Sequence, residues 1–173
     1  MIHVRLKPKK KRKNGFDFAE RLILAEAALR TVEITTADSV LCVSSSAGAL
    51  ESKVLRAVGC HVHSIGKICR KYSDVFKDAG RIKYLSKVFE PATLGEYDFI
   101  ILFDTGGALA EAGLLSSVQG RLTKGGTLLI ADGTAGYASG YYVKILTDLN
   151  VENVYDGRLT VITASRTERA EAW

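Results

Sequence analysis

Cysteine is scarce in this 173-residue chain, which holds only Cys42, Cys60 and Cys69. An odd, sparse set argues against a disulfide framework and fits free thiols, so a reducing intracellular compartment is expected: cytoplasm, nucleus or organelle matrix. Histidine stops at His63. With no later histidine, and no Gly-x-Ser-x-Gly frame around Ser44, Ser45 and Ser46, a hydrolase triad in its usual chain order cannot be completed. No apolar run is long enough to span a bilayer, and the N-terminus lacks the apolar stretch of a secretory signal. Tight metal-ligand pairs such as Cys-x-x-Cys are missing too. Cys60, His61, His63 and Cys69 cluster loosely, so core packing is expected for the cysteines and no metal site is assigned.

Acids are missing from one end. Residues 1–16 hold seven bases and no acid, and residues 67–87 hold seven more bases against Asp74 and Asp78. The remainder carries ten bases and seventeen acids, so a net charge of +5 conceals two positive segments on an acidic body. Segregation of this kind points to a polyanionic partner. The stretch "KPKKKRK" is too dense to serve solubility alone, and it can also be read as a nuclear or organellar address. Lys9, Lys10, Lys11, Arg12 and Lys13 in the arm, with Lys67, Arg70 and Lys71 in the second segment, are the candidate nucleic-acid contacts. Phosphate neutralisation by such groups is sequence-blind and salt-sensitive.

Apolar content of 47% with 25% charge is ordinary for a globular protein, and the length suits one domain. The expected division is a basic arm over 1–16 and a single domain over 17–173. Phe18, Leu22, Ala25, Leu29 and Val32 form one helical stripe. Strands follow at "SVLCV", "HVHSIG", "RIKYLSKV", "YDFIILFD" and "GGTLLIAD". Helices are expected between them, over 50–58, 67–79, 108–122 (Leu114, Leu115, Val118 and Leu122 inward) and 137–149 (Tyr141 inward, Tyr137 or Tyr142 free to stack a base). "VENVY" and "RLTVITAS" flank Asp156-Gly157, a strong hairpin signal. Strand–helix alternation predicts an α/β fold, a mostly parallel sheet with helices on both faces.

That order, with "VLCVSSSAGAL" (40–50), "YDFIILFD" (97–104) and "LTKGGTLLIAD" (122–132), resembles the class I S-adenosylmethionine-dependent methyltransferases over residues 17–165. The resemblance implies a Rossmann-like seven-stranded sheet of order 3-2-1-4-5-7-6. It also implies a cofactor site at the strand tips, made from an acid late in strand one, glycines in the next loop, an acid ending strand two for the ribose, and an acid or polar group after strand three. Here Cys42 stands for the first acid, Ser44 and Ser46 for two glycines, Gly48 for the third, Gly66 for the ribose acid, and Lys87 lies near the adenine-contacting place.

The residual site would comprise Ser44, Ser46, Gly48, Gly66 and Asp104. The polar rim adds Ser45, Thr105, Asp132 and Thr134. Asp104 and Asp132 should lie close together, and capping of the helices that follow them is expected for at least one. The leading expectation is a non-catalytic, methyltransferase-like subunit without a cofactor, binding RNA or a ribonucleoprotein. The alternative is an active methyltransferase on nucleic acid, with S-adenosylmethionine over Ser44–Gly48 and Asp104 orienting the methyl acceptor or taking its proton. Neither an Asn/Asp-Pro-Pro-Tyr motif nor a cytosine-methylation cysteine pattern is present.

Overall fold

A computed structural model describes residues 4–5, 18–44, 60–65, 82–86, 88–89, 91–133, 139–156 and 159–167. Charge-free, β-branched runs build its centre. β2 (Ser39–Ser44) is buried along all but its first residue, because helices cover both faces of a parallel strand. β3 (His61–Ile65) and β4 (Ile82–Ser86) extend the sheet on one side, and β6 (Tyr97–Phe103) and β7 (Leu122–Gly133) on the other. β8 (Asn150–Asp156) and β9 (Leu159–Ser165) form the last hairpin. The order is β4-β3-β2-β6-β7-β9-β8. Counting only these seven strands, that is the expected 3-2-1-4-5-7-6. Pairings from β4 to β7 are parallel, while β9 runs antiparallel to both neighbours. Asp156 faces Thr160 at the hairpin end.

Alternation along the strands creates two cores. On one face Val40, Cys42, Ile101, Phe103, Leu129 and Ala131 meet Ala25 and Ala28 of α1 (Phe18–Leu29). On the other, Leu41, Val43, Ile100, Leu102, Leu128 and Ile130 meet α2 (Gly106–Glu111), α3 (Leu115–Gln119) and α4 (Ser139–Ile145). Two-residue strands β1 (Val4–Arg5) and β5 (Val88–Phe89) pair antiparallel as a separate small sheet.

Two expectations need correction. The single helix over 108–122 is two short ones. Gly113 adopts φ +68°, a left-handed turn that ends α2, and Leu122 belongs to β7 rather than to a helix. Over 137–149 the described helix is shorter and its phase differs by one residue. Tyr142 is fully buried and Tyr141 is 38% exposed, so one of the two stacking candidates is a core residue and the expected core residue reaches solvent, while Tyr137 lies outside the described residues. The expected helices over 50–58 and 67–79 lie outside the described residues.

An irregularity within β7 explains why "LTKGGTLL" carries adjacent glycines. Gly125 has φ +77°, and a Cβ on Gly126 would come within 3.0 Å of the Asp98 and Thr123 carbonyl oxygens. The pair permits a register shift between Tyr97↔Leu122 and Phe99↔Thr127, and Arg166 closes it with bonds to Gly125 and Gly126.

Candidate functional site at the strand tips

The carboxyl ends of β2, β6 and β7 bring together Ser44, Asp104, Thr105 and Asp132, four of the rim residues singled out from the sequence. In open parallel sheets this is where ligands bind. Cys42 and Ser44 on β2 are fully buried. Cys42 belongs to the core cluster beneath α1, with Cys60. Thr105 is buried as well and its hydroxyl donates to the Val43 carbonyl at 3.3 Å, tying the β6 tip to the β2 tip.

Asp104 and Asp132 are cross-connected. The Asp104 N–H donates to the Ala131 carbonyl at 2.9 Å, and Asp104 Oδ1 accepts from the Gly133 N–H at 2.8 Å. In return Asp132 Oδ2 accepts from the Gly107 N–H at 2.9 Å and from the Tyr142 hydroxyl. Capping therefore occurs in trans: Asp132, at the end of β7, satisfies an orphan N–H of α2, the helix after β6. Asp104 sits at φ 54°, a left-handed conformation that aspartate enters more readily than most residues. Its neighbours Thr105 and Gly106 then turn directly into α2.

Ser46, Gly48 and Gly66 of the expected site lie outside the described residues, as do Ser45, Thr134, Lys87 and the candidate nucleic-acid contacts Lys9, Lys10, Lys11, Arg12, Lys13, Lys67, Arg70 and Lys71. Tyr142 was missed as a partner of the rim. Its signal is faint in sequence, since a tyrosine ten residues beyond an aspartate has no characteristic spacing. Asp98, at the opposite end of β6, was also missed. It accepts from the Ser39 N–H and hydroxyl, each at 2.8 Å, and from the Thr123 hydroxyl at 3.0 Å. The Ser39 backbone bond chiefly holds its carboxyl below the usual range, against a smaller opposing effect of burial. Away from the tips, an apolar groove of about 690 Å³ lies between α1 and the last hairpin, lined by residues including Leu24, Ala27, Tyr155 and Val161. Among the described residues no helix is long and apolar enough to cross a membrane.

No protein-family model and no curated protein matches the sequence, but solved structures match the fold. A TehB-like SAM-dependent methyltransferase from Corynebacterium glutamicum aligns with TM-score 0.64 at 17% identity, over 88% of this chain and 90% of that one. A SAM-dependent methyltransferase from Aquifex aeolicus gives 0.63 at 16%, over 88% and 100%. The N-methyltransferase NodS from Bradyrhizobium japonicum gives 0.62 at 14%, over 90% and 99%. At these identities the likeness concerns the backbone, and with the strand order above it leads to one conclusion: the chain has the methyltransferase-like, Rossmann-type fold of the class I S-adenosylmethionine-dependent methyltransferases.

Proposed function

We propose that this protein is a non-catalytic member of that fold, a subunit that binds RNA or a ribonucleoprotein through its basic segments. The observation that carries the first half is Cys42. It occupies the strand-one position where the fold's cofactor-binding members need an acid, and it is fully buried under α1. A thiol there offers no carboxylate to a sulfonium amino acid. Ser44, at the first glycine position, is equally buried. Asp104 Oδ1 accepts from Gly133 and Asp132 Oδ2 from Gly107 and Tyr142, which gives both carboxylates a structural use. On these grounds the described residues do not fit S-adenosylmethionine, and no methyl-transfer step is derived. A charge-assisted carboxylate contact contributes about 1.5–3 kcal/mol, so two missing ones weaken binding by several decades.

The second half rests on charge. Fourteen of the chain's 24 bases lie in residues 1–16 and 67–87, against two acids there. Lysines and arginines neutralising a phosphodiester backbone release counterions, which gives an affinity that falls steeply with salt.

Two measurements test the reading. Calorimetry with S-adenosylmethionine and S-adenosylhomocysteine should show no binding at micromolar concentrations. Micromolar binding that Gly48→Trp abolishes would instead favour an active methyltransferase on nucleic acid, with Asp104 beside the acceptor. RNA affinity should fall steeply with salt, and deletion of residues 1–13 should flatten that slope. An unchanged slope removes the arm from the function.

A further inference from the structure

We infer that the apolar groove between α1 and the last hairpin binds an uncharged, ring-bearing small molecule that carries an N–H or O–H donor. The site stands apart from the strand tips, and the inference does not depend on the RNA-binding reading above. Its volume of about 690 Å³ lies within the roughly 300–1,000 Å³ usual for small-molecule sites. Leu24, Ala27 and Ala28 of α1 line one side, with Val161 of β9 and Tyr155 of β8 on the other. Helical spacing sets the α1 residues on one face, and the two alanines leave that wall low, so a flat ring can approach the helix. Val154 is 47% exposed, Tyr155 63%, and Ile23, one turn before Ala27, 64%. Three of the five exposed large apolar side chains among the described residues therefore flank this one groove. Apolar surface gathered in this way marks a binding site, whereas scattered apolar residues do not.

Charge decides the class of ligand. No charged side chain lines the groove. The acids of β8 are turned onto the chain itself: Glu152 accepts from the Ser165 hydroxyl, and Asp156 from those of Ser139 and Thr160. An ion entering here would lose hydration with no partner to replace it, so the occupant is neutral. Two polar side chains in the lining decide what else it carries. The Thr31 hydroxyl donates to the Ala28 carbonyl at 2.6 Å, and Asn153 Nδ2 donates to the Thr163 hydroxyl at 2.9 Å. Each spends a donor inside the chain and keeps an acceptor oxygen. A ligand N–H or O–H is their complement, and the Tyr155 ring offers a surface for offset or edge-on stacking.

The test uses the full chain and N-phenyl-1-naphthylamine, a neutral aromatic amine with a single N–H whose fluorescence rises on leaving water. Saturable binding at micromolar concentrations is expected. Ala27→Glu changes an exposed helical position, so the fold should survive, as circular dichroism and melting would check. It fills the floor of the groove and puts a charge there, and should weaken binding at least tenfold. The N-methyl derivative of the amine, which lacks the donor, should bind the wild type about three- to tenfold more weakly. In the double variant Thr31→Val, Asn153→Leu, which keeps the groove apolar, that preference should vanish. Absence of saturable binding overturns the inference, as it would if another segment or a second copy of the chain fills the groove. Binding indifferent to Ala27→Glu, or equal for the two amines on the wild type, overturns it as well.

Discussion

One oxygen of Asp132 receives two donors from different segments, the Gly107 N–H of α2 and the Tyr142 hydroxyl of α4. Asp132 is 6% exposed and Tyr142 fully buried, so removing the carboxylate leaves buried donors without their acceptor, the costly direction of such a change. Asp132→Ala should lower unfolding free energy by about 3 kcal/mol. Tyr142→Phe deletes only the hydroxyl, and should cost about 1.5 kcal/mol. Urea denaturation distinguishes the two values. Equal and small effects would mean the carboxylate contributes nothing here beyond filling space. The rim residues themselves were legible, because an aspartate closing an apolar strand run is visible in "FIILFD" and "LLIAD". Their crossed partnership was not, since the Asp104–Gly133 and Asp132–Gly107 bonds join positions 29 and 25 residues apart.

Among the elements, the strands read clearly from sequence because burial on both faces leaves an unbroken apolar run, as in "SVLCV". Helices read less well. Leu114, Leu115 and Val118 keep helical spacing and are buried, yet Gly113 turns left-handed between α2 and α3, and an isolated glycine in such a pattern is ordinarily tolerated. α4 differs by one residue because its phase answers to a distant acceptor, Asp132, rather than to local periodicity. At the opposite end of the sheet Asp98 ties three strands, accepting from Ser39 of β2 and Thr123 of β7. Its carboxyl is held below the ordinary range, chiefly by the Ser39 N–H. A group with a depressed folded-state value stabilises fully above its unfolded value and loses that contribution as pH falls through the folded one. Asp98→Ala should therefore cost about 1–2 kcal/mol at neutral pH. The gap from wild type should shrink below about pH 4. A gap independent of pH would assign the effect to packing.

Across the whole molecule, charge and fold are separable. The body outside the two basic segments has seventeen acids to ten bases, while its cores are apolar on both faces of the sheet. Neutralising the basic segments should thus alter binding without altering architecture. Repulsion among the fourteen bases of residues 1–16 and 67–87 predicts that raising salt to about 0.5 M stabilises the wild type by roughly 1 kcal/mol. The same salt increase should leave a chain without residues 1–13 nearly unchanged, as thermal melts would register. A salt response identical in both chains would locate the repulsion elsewhere.

The placement of α1 bears on how the chain is made. Ala25 and Ala28 lie against Leu129 and Ala131, so α1 has its berth on a strand translated about one hundred residues after it. A twelve-residue helix is too short to hold its shape unaided in water. During synthesis this segment must wait, its apolar stripe uncovered, until the middle of the sheet has emerged. Burial of this helix is therefore gated by a late, long-range closure, and nascent chains halted before β7 would carry α1 sticky and unhoused.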